Sequence, residues 1–242
     1  MSDFLSSWYG IALILIFDLA ALILAISILY RPIFKRVFDI IGSIVCLVCA
    51  LPAFIVLIVK HNTYQSKTGE ESSFLTTKNM VGKKEKTITL HYINCVNEQG
   101  EKTEFGNFVI KNKLEKLPLL LDILFGKISF IGVKAFDEKE TRYVEGEDKD
   151  RFLVKPGIIN PLIISGDEQT DYQEMMFSDK KYAWNFSFWK DLKILVSCIL
   201  NFTRGKSNEY LGQTREQGYL EYLLQTQQIS QIEYDAIQEM DA

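Results

Sequence analysis

The sequence predicts a membrane-anchored α/β fold that is mostly helical. Three observations carry this. Two apolar stretches, Tyr9–Tyr30 and Val37–Lys60, each reach the length of about 20 residues that a helix needs to span a bilayer. The segment Lys86–Asn94 (KTITLHYIN) alternates apolar and polar residues as a half-buried strand does. Leu114–Phe125 and Tyr182–Phe202 are apolar and of helical length.

Composition narrows the partners. With 242 residues, 48% of them hydrophobic, the chain fits one domain of ordinary size plus membrane-embedded sequence. A net charge of −4, with no basic run or zinc-knuckle spacing, excludes nucleic acid as an expected partner. Cys46 and Cys49 lie inside an apolar run and read as small apolar filler. With Cys95 and Cys198 they give no sign of an oxidising compartment.

The first apolar stretch has no basic residues before it and no small-residue cleavage site after it, so it reads as a transmembrane helix and not a signal peptide. Asp3 precedes it, and Arg31, Lys35 and Arg36 follow, which puts residue 31 onward in the cytoplasm. Asp18 sits mid-helix, where a carboxylate is costly unless paired or neutral. It is a candidate contact to a partner helix, or a neutral group facing the chain's own second segment. In that second segment Pro52 removes a backbone donor and is expected to kink the helix. A full span would return the chain outside; a broken, re-entrant helix would return it to the cytoplasmic face.

Beyond Lys60, His61–Ser73 reads as a polar loop and Asn97–Gly100 as a turn. Leu114–Phe125 has Pro118 near its start and Gly126 just past its end, the usual asymmetry of a helix. Ile128–Gly132 reads as a short strand or turn, Val154–Gly157 as a turn, and Glu140–Asp150 as a solvated charged run. Tyr182–Phe202 carries Lys190, Asp191 and Lys193, so a helix lying in the membrane interface is expected there. From Asn208 a tail offers an amphipathic face of Tyr219, Leu220, Leu223 and Leu224, a capping box at Ser230–Glu233, and a second face of Ile232, Ala236, Ile237 and Met240. This predicts a helical hairpin that either mediates association or docks on its own domain.

The order of short motifs resembles the bacterial sugar transferase family, the monotopic phosphoglycosyl transferases that begin glycan assembly on polyprenol phosphate. Lys35-Arg36-Val37-Phe38-Asp39 with Ser43 looks like the opening of the family's re-entrant helix, and Pro52 falls on the proline of its helix break, with Leu51 in place of serine. Val81-Gly82, Leu114-Glu115-Lys116-Leu117-Pro118, Ser129–Gly132, Lys155–Ile158, Ser165-Gly166, and Trp189 with Asp191-Leu192 and Ile194-Leu195 follow in the family's order. The resemblance implies a re-entrant helix at 37–60, a domain over 32–205 between a transmembrane helix (1–31) and a tail (206–242), and a bacterial inner-membrane location with the main domain cytoplasmic.

It also implies an Asp-Glu dyad, with the aspartate attacking the donor phosphate and the glutamate helping to hold Mg2+. Glu115-Lys116 stands there instead. The glutamate moves the carboxylate out by one methylene, and the lysine puts a positive charge where the metal would sit. Phosphate-gripping arginines are replaced around Thr77–Met80, His91–Cys95 and Gly132–Ala135. The expected function is therefore a catalytically impaired homologue that acts as a partner or scaffold of an active transferase in a glycan-assembly complex, or as a homo-oligomer. The alternative is an active enzyme that moves a phosphosugar from a UDP-sugar to polyprenol phosphate and releases UMP. In it Glu115 is the nucleophile, Asp122 binds Mg2+, and Lys134 meets a phosphate. Lys35 and Arg36 are further substrate-binding candidates. His61 and His91 read as incidental.

Overall fold

The computed structural model describes residues 8–69, 72–164, 172–203 and 218–239. Asp3, Ser165-Gly166, the start of the tail at Asn208, and Met240 lie outside the described residues. Helix α1 (Trp8–Leu29) passes through a π-helical turn (Tyr30–Phe34) into α2 (Lys35–Thr68). A hairpin of β1 (Leu75–Val81) and β2 (Thr87–Ile93) follows, then α3 (Glu104–Lys111), α4 (Leu119–Leu124) and β3 (Ser129–Ile131). One helical turn, α5 (Glu138–Thr141), leads through a 3-10 segment to β4 (Gly157–Ile159), α6 (Tyr172–Asn185) and α7 (Phe188–Thr203). The short helices α8 (Tyr219–Gln225) and α9 (Gln231–Glu239) close the chain. Among the described residues the strands form only two small sheets, antiparallel β1–β2 and parallel β3–β4.

Both apolar stretches are long exposed helices. Gly10 is the single buried residue of α1, and Asp18 is exposed with its neighbours. Asp18 is thus not buried against the second segment. In α2 the less exposed positions recur at helical spacing: Arg36, Asp39, Ser43, Leu47, Ala50, Phe54, Leu57, His61 and Tyr64. The other side (Ile44, Val45, Val48, Leu51, Ile55, Val56) is exposed and apolar.

Pro52 does not break α2. The helix continues through it, with the proline on the exposed side. A proline removes one donor from the ladder, a loss that neighbouring turns of an apolar helix can absorb. The polar run after Lys60 is also helical as far as Thr68, not a loop. It stops at Gly69, which takes the left-handed conformation (φ +70°) and donates its N–H to the Gln65 carbonyl.

Charged side chains pin the start of α2 to the domain. Lys35 Nζ donates to the Ile131 carbonyl (3.0 Å) and the Tyr182 hydroxyl (3.0 Å), and pairs with the buried Asp191 carboxylate (2.5 Å). Tyr30 and Tyr182 also donate to Asp191. Arg36 donates to the Ile123 and Leu124 carbonyls at the C-terminal end of α4, each at 2.6 Å. Asp39, buried, accepts from the Ser129 hydroxyl (2.9 Å) and the Phe130 N–H (3.1 Å). At the far end, Leu57 packs with Ile93, Phe105 and Val109, and His61 stacks edge-on against Phe74 and Phe105.

Two helices proved different from expectation. Pro118 sets the start of α4, so Leu114–Pro118 is a turn and the helix is only Leu119–Leu124. Glu115 and Asp122 therefore do not share one helical face. The expected interface helix is two, α6 and α7, parted at Phe186-Ser187, and its Asp191 faces inward. Other readings hold: β2 occupies the alternating segment, and Gly100 closes the turn onto Asn97. Ser230 and Glu233 exchange the reciprocal bonds of a capping box. The hairpin docks on its own domain, burying Tyr219, Leu220, Tyr222 and Leu223 against Phe136, Tyr172 and Met176.

Replacing Asp39 with alanine leaves two buried donors without an acceptor, a loss of roughly 1–3 kcal/mol. Thermal melting of the detergent-solubilised protein should show Asp39→Ala unfolding several degrees below the parent. An unchanged midpoint would mean that the anchor does not hold the helix.

Candidate functional site

Two backbone devices shape one cavity. In the β1–β2 hairpin, Thr76 faces Tyr92, Lys78 faces Leu90 and Met80 faces Ile88, so these residues share a side of the ribbon. The Leu114–Pro118 turn is tied to the same ribbon by the Ile93 N–H, which donates to the Glu115 carbonyl at 2.9 Å. The second device is the β3–β4 pair, where the backbones nearly touch. A Cβ built on Gly157 would lie 2.1 Å from the Gly132 nitrogen, and one on Gly132 would lie 2.4 Å from the Lys155 oxygen. Only glycine fits at either place. This close approach brings Lys134, one residue past the Val133–Pro156 bridge, beside Gly157 and Asn160.

The result is a cavity of about 250 Å³ whose polar lining includes Lys78, Tyr92, Lys116, Lys134 and Asn160. Lys78 sits over the Tyr92 ring at 5.5 Å. Lys134 donates to the Tyr172 hydroxyl (3.0 Å) and lies 4.7 Å from that ring's centre and 5.3 Å from that of Phe136. Burial lowers the proton affinity of Lys116; Glu115 opposes this and Lys78 adds to it. Burial also draws Lys134 from the usual 10.5 to about 8, with Glu140 and Asp179 opposing the shift and Arg151 and Lys116 reinforcing it. The three ammonium groups are thus close enough to feel one another.

A buried frame fixes the Lys134 backbone from behind. Arg151, fully buried, donates to the Lys134 carbonyl (2.7 Å), pairs with Asp179 (2.8 Å) and lies 3.7 Å from the centre of the Phe136 ring. Asn160 donates to the other Asp179 oxygen at 3.0 Å. Burial raises the Asp179 carboxyl above its usual range, against the pull of Arg151.

The residues expected in the site separate. Lys116 and Lys134 line the cavity. Glu115 does not, although its Oε2 is buried without a hydrogen-bond partner. Asp122 is buried and committed elsewhere: it accepts from the His91 N–H and ring nitrogen (2.9 Å each) and pairs with Lys127 (3.0 Å). His91 is therefore a structural partner and not incidental. Lys35 and Arg36 face Asp191 and the end of α4, not the cavity. Sequence reasoning missed Lys78, Asn160, Tyr172 and the Arg151–Asp179 pair. Only Lys78 left a signal, its place two residues from Met80 on one side of β1.

These residues do not fit magnesium. The ion prefers oxygen ligands, commonly one or two carboxylates with substrate phosphates and water. Among the described residues no group of three histidine, cysteine or acidic side chains could hold a metal, and the polar side chains of the cavity are lysines, Tyr92 and Asn160.

Comparison with known proteins places this arrangement. The family described as Bacterial sugar transferase matches residues 30–205. The chain belongs to that family. A UDP-galactose-lipid carrier transferase of Erwinia amylovora is 24% identical over 68% of this sugar transferase homologue and 39% of its own length. An undecaprenyl-phosphate galactose phosphotransferase of Salmonella typhimurium is 35% identical over 38% of the chain and 20% of its own. The uncharacterized sugar transferase EpsL of Bacillus subtilis is 26% identical over 69% of the chain and 86% of its own. The homologue thus spans well under half of the Erwinia and Salmonella relatives. Of the motif residues, Lys116, Pro156, Gly157 and Ile158 line the cavity, while Lys78, Met80, Lys134 and Ala135 come from the stretches beside motifs.

The depressed Lys134 makes a pH-dependent prediction. Its folded value of about 8 lies below the unfolded 10.5, so its burial costs stability at neutral pH and that cost fades as pH rises from 8 to 10.5. Lys134→Met should therefore melt higher than the parent at pH 7, with the gap closing toward pH 10. A mutant that melts lower at pH 7 by the same margin as at pH 10 would show that the charge carries no such cost.

Proposed function

We propose that this homologue is a membrane-bound sugar-transferase relative that keeps the family's phosphate-side cavity but has lost the carboxylate chemistry within it. It would act by binding, as partner or scaffold of an active transferase in glycan assembly. One observation carries the reading: at the dyad position it is Lys116, not a carboxylate, that lines the cavity, and Glu115 stands outside the lining. A nucleophile must reach within about 3–3.5 Å of the reacting phosphorus, and a misplacement of 1 Å can cost about a hundredfold. Asp18, exposed on α1, and the exposed side of α9, where Ile232 projects, are the surfaces suited to a partner.

A second reading is favoured by the unpartnered Glu115 Oε2, since a buried carboxylate oxygen without a donor is often reserved for a ligand or ion. In it Glu115 swings into the cavity and attacks the sugar-bearing phosphate of the donor, forming a carboxyl–phosphate bond as the bond to UMP breaks and UMP leaves. The phosphosugar is then passed to a polyprenyl phosphate, as the relatives' names suggest. Purified protein given UDP-sugars, Mg2+ and polyprenyl phosphate should release no UMP where a working relative does. UMP release abolished by Glu115→Ala would overturn the scaffold reading.

The same-side topology follows from α2. At about 1.5 Å per residue the helix is roughly 50 Å long, more than a bilayer core of about 30 Å. Its first turns bind α4, β3 and α7, and its last turns bind β2 and α3 of the same domain. A helix held at both ends by one water-facing body does not carry the chain across. With Arg31, Lys35 and Arg36 beside that body, the domain belongs on the cytoplasmic face of the inner membrane. Alkaline phosphatase fused after Gly69 should be inactive and a fluorescent protein fused there should glow; the reverse pattern would require a second full span.

A further inference from the structure

The cavity's disagreement with a metal site has a consequence for its ligand. We propose that the cavity binds a phosphoanion, the diphosphate of a nucleotide donor or the phosphate of a polyprenyl carrier, without a divalent metal, its charge matched by Lys78, Lys116 and Lys134. This rests on the reading that the cavity still receives the family's phosphate.

Charge, size and support agree. The lining brings Lys78, Lys116 and Lys134 together with no acidic side chain. Lys116 stands where the family's metal-binding carboxylate would be, so the chain supplies in fixed form the positive charge that an ion would otherwise bring. A lysine serves well here, since an ammonium is a compact point charge with three donors that suits phosphate oxygens. Burial and a neighbouring lysine make the Lys116 and Lys134 charges costly in the free protein. Each of Lys116 and Lys134 holds its proton less tightly for having another lysine near. A bound anion reverses that cost, whereas a divalent cation would add to it.

The volume of about 250 Å³ falls short of the roughly 300–1,000 Å³ that encloses a drug-sized ligand. It suits one or two phosphate groups, with the nucleoside and sugar, or the prenyl chain, outside. The Arg151–Asp179–Asn160 chain holds the Lys134 end rigid, while Lys78 on an exposed stretch of β1 can close from the other side.

Calorimetry on the detergent-purified full chain would use inorganic pyrophosphate, UDP and farnesyl phosphate, each in EDTA and in Mg2+. At least one should bind in EDTA, and Mg2+, which complexes diphosphates in solution, should not strengthen its binding. Lys116→Met and, independently, Lys78→Met should each weaken it about tenfold, or about 1.4 kcal/mol. Lys78 is exposed, so its variant remains informative if Lys116→Met misfolds. Tighter binding of UDP assigns the nucleotide as the source, and tighter binding of farnesyl phosphate assigns the lipid carrier. No binding of any probe in EDTA, or binding that appears only with Mg2+, would overturn the proposal. Glu115-dependent UMP release alongside binding in EDTA would sink the scaffold reading and leave this one standing.

Discussion

Lys35, Arg36 and Asp39 lie within two turns of α2, and each bonds to a different part of the domain: the Asp191–Tyr182 cluster, the end of α4, and the start of β3. The rest of the structure depends on these bonds. An apolar helix has no hydrophobic reason to remain beside a water-facing domain when lipid serves its surface equally well. Directional bonds from buried charges supply that reason. They must be fully satisfied, because a buried charge left without a partner costs several kcal/mol. Here Asp191 receives a lysine and two tyrosines, and Arg36 reaches two carbonyls at the end of α4.

The anchors also set the cavity indirectly. Asp39 fixes Ser129 and Phe130 at the start of β3, and β3 fixes how closely Gly132 approaches Gly157. Two residues later comes Lys134, held by Arg151 through its carbonyl. The line from α2 to the cavity lysine thus runs through a short parallel sheet and one buried ion pair. Arg151–Asp179 is a weak argument for stability, since burying such a pair costs about what it returns. Its use is geometric: it joins the 3-10 segment before β4, α6 and Asn160 into one backing for the cavity.

Much of this was legible in the sequence and some was not. Length and apolarity revealed α1 and α2, alternation revealed β2, and Ser230–Glu233 revealed the turn into α9. The helical end of α2 was hidden by its polar residues, though Leu57, His61 and Tyr64 keep the helical spacing that continues the inward face. Strand β1 was missed because Leu75–Val81 barely alternates. In the site, motif order drew attention to Lys116 and Lys134, and both line the cavity. Lys35, Arg36 and Asp122 were misread as ligand groups for a common reason. Their partners include backbone carbonyls and N–H groups dozens of residues away, and no sequence pattern names a carbonyl as the partner of a charge.

That misreading bears on how the site should be understood. Lys35, Arg36, Asp39 and Asp122 hold the fold through their bonds to the domain. The substitution at the dyad falls elsewhere, on a residue that lines the cavity. The bonds that dock α2 and the lining of the cavity thus draw on different side chains. On the proposed reading, a lysine at the dyad position leaves those docking bonds made and gives a cavity that favours anions.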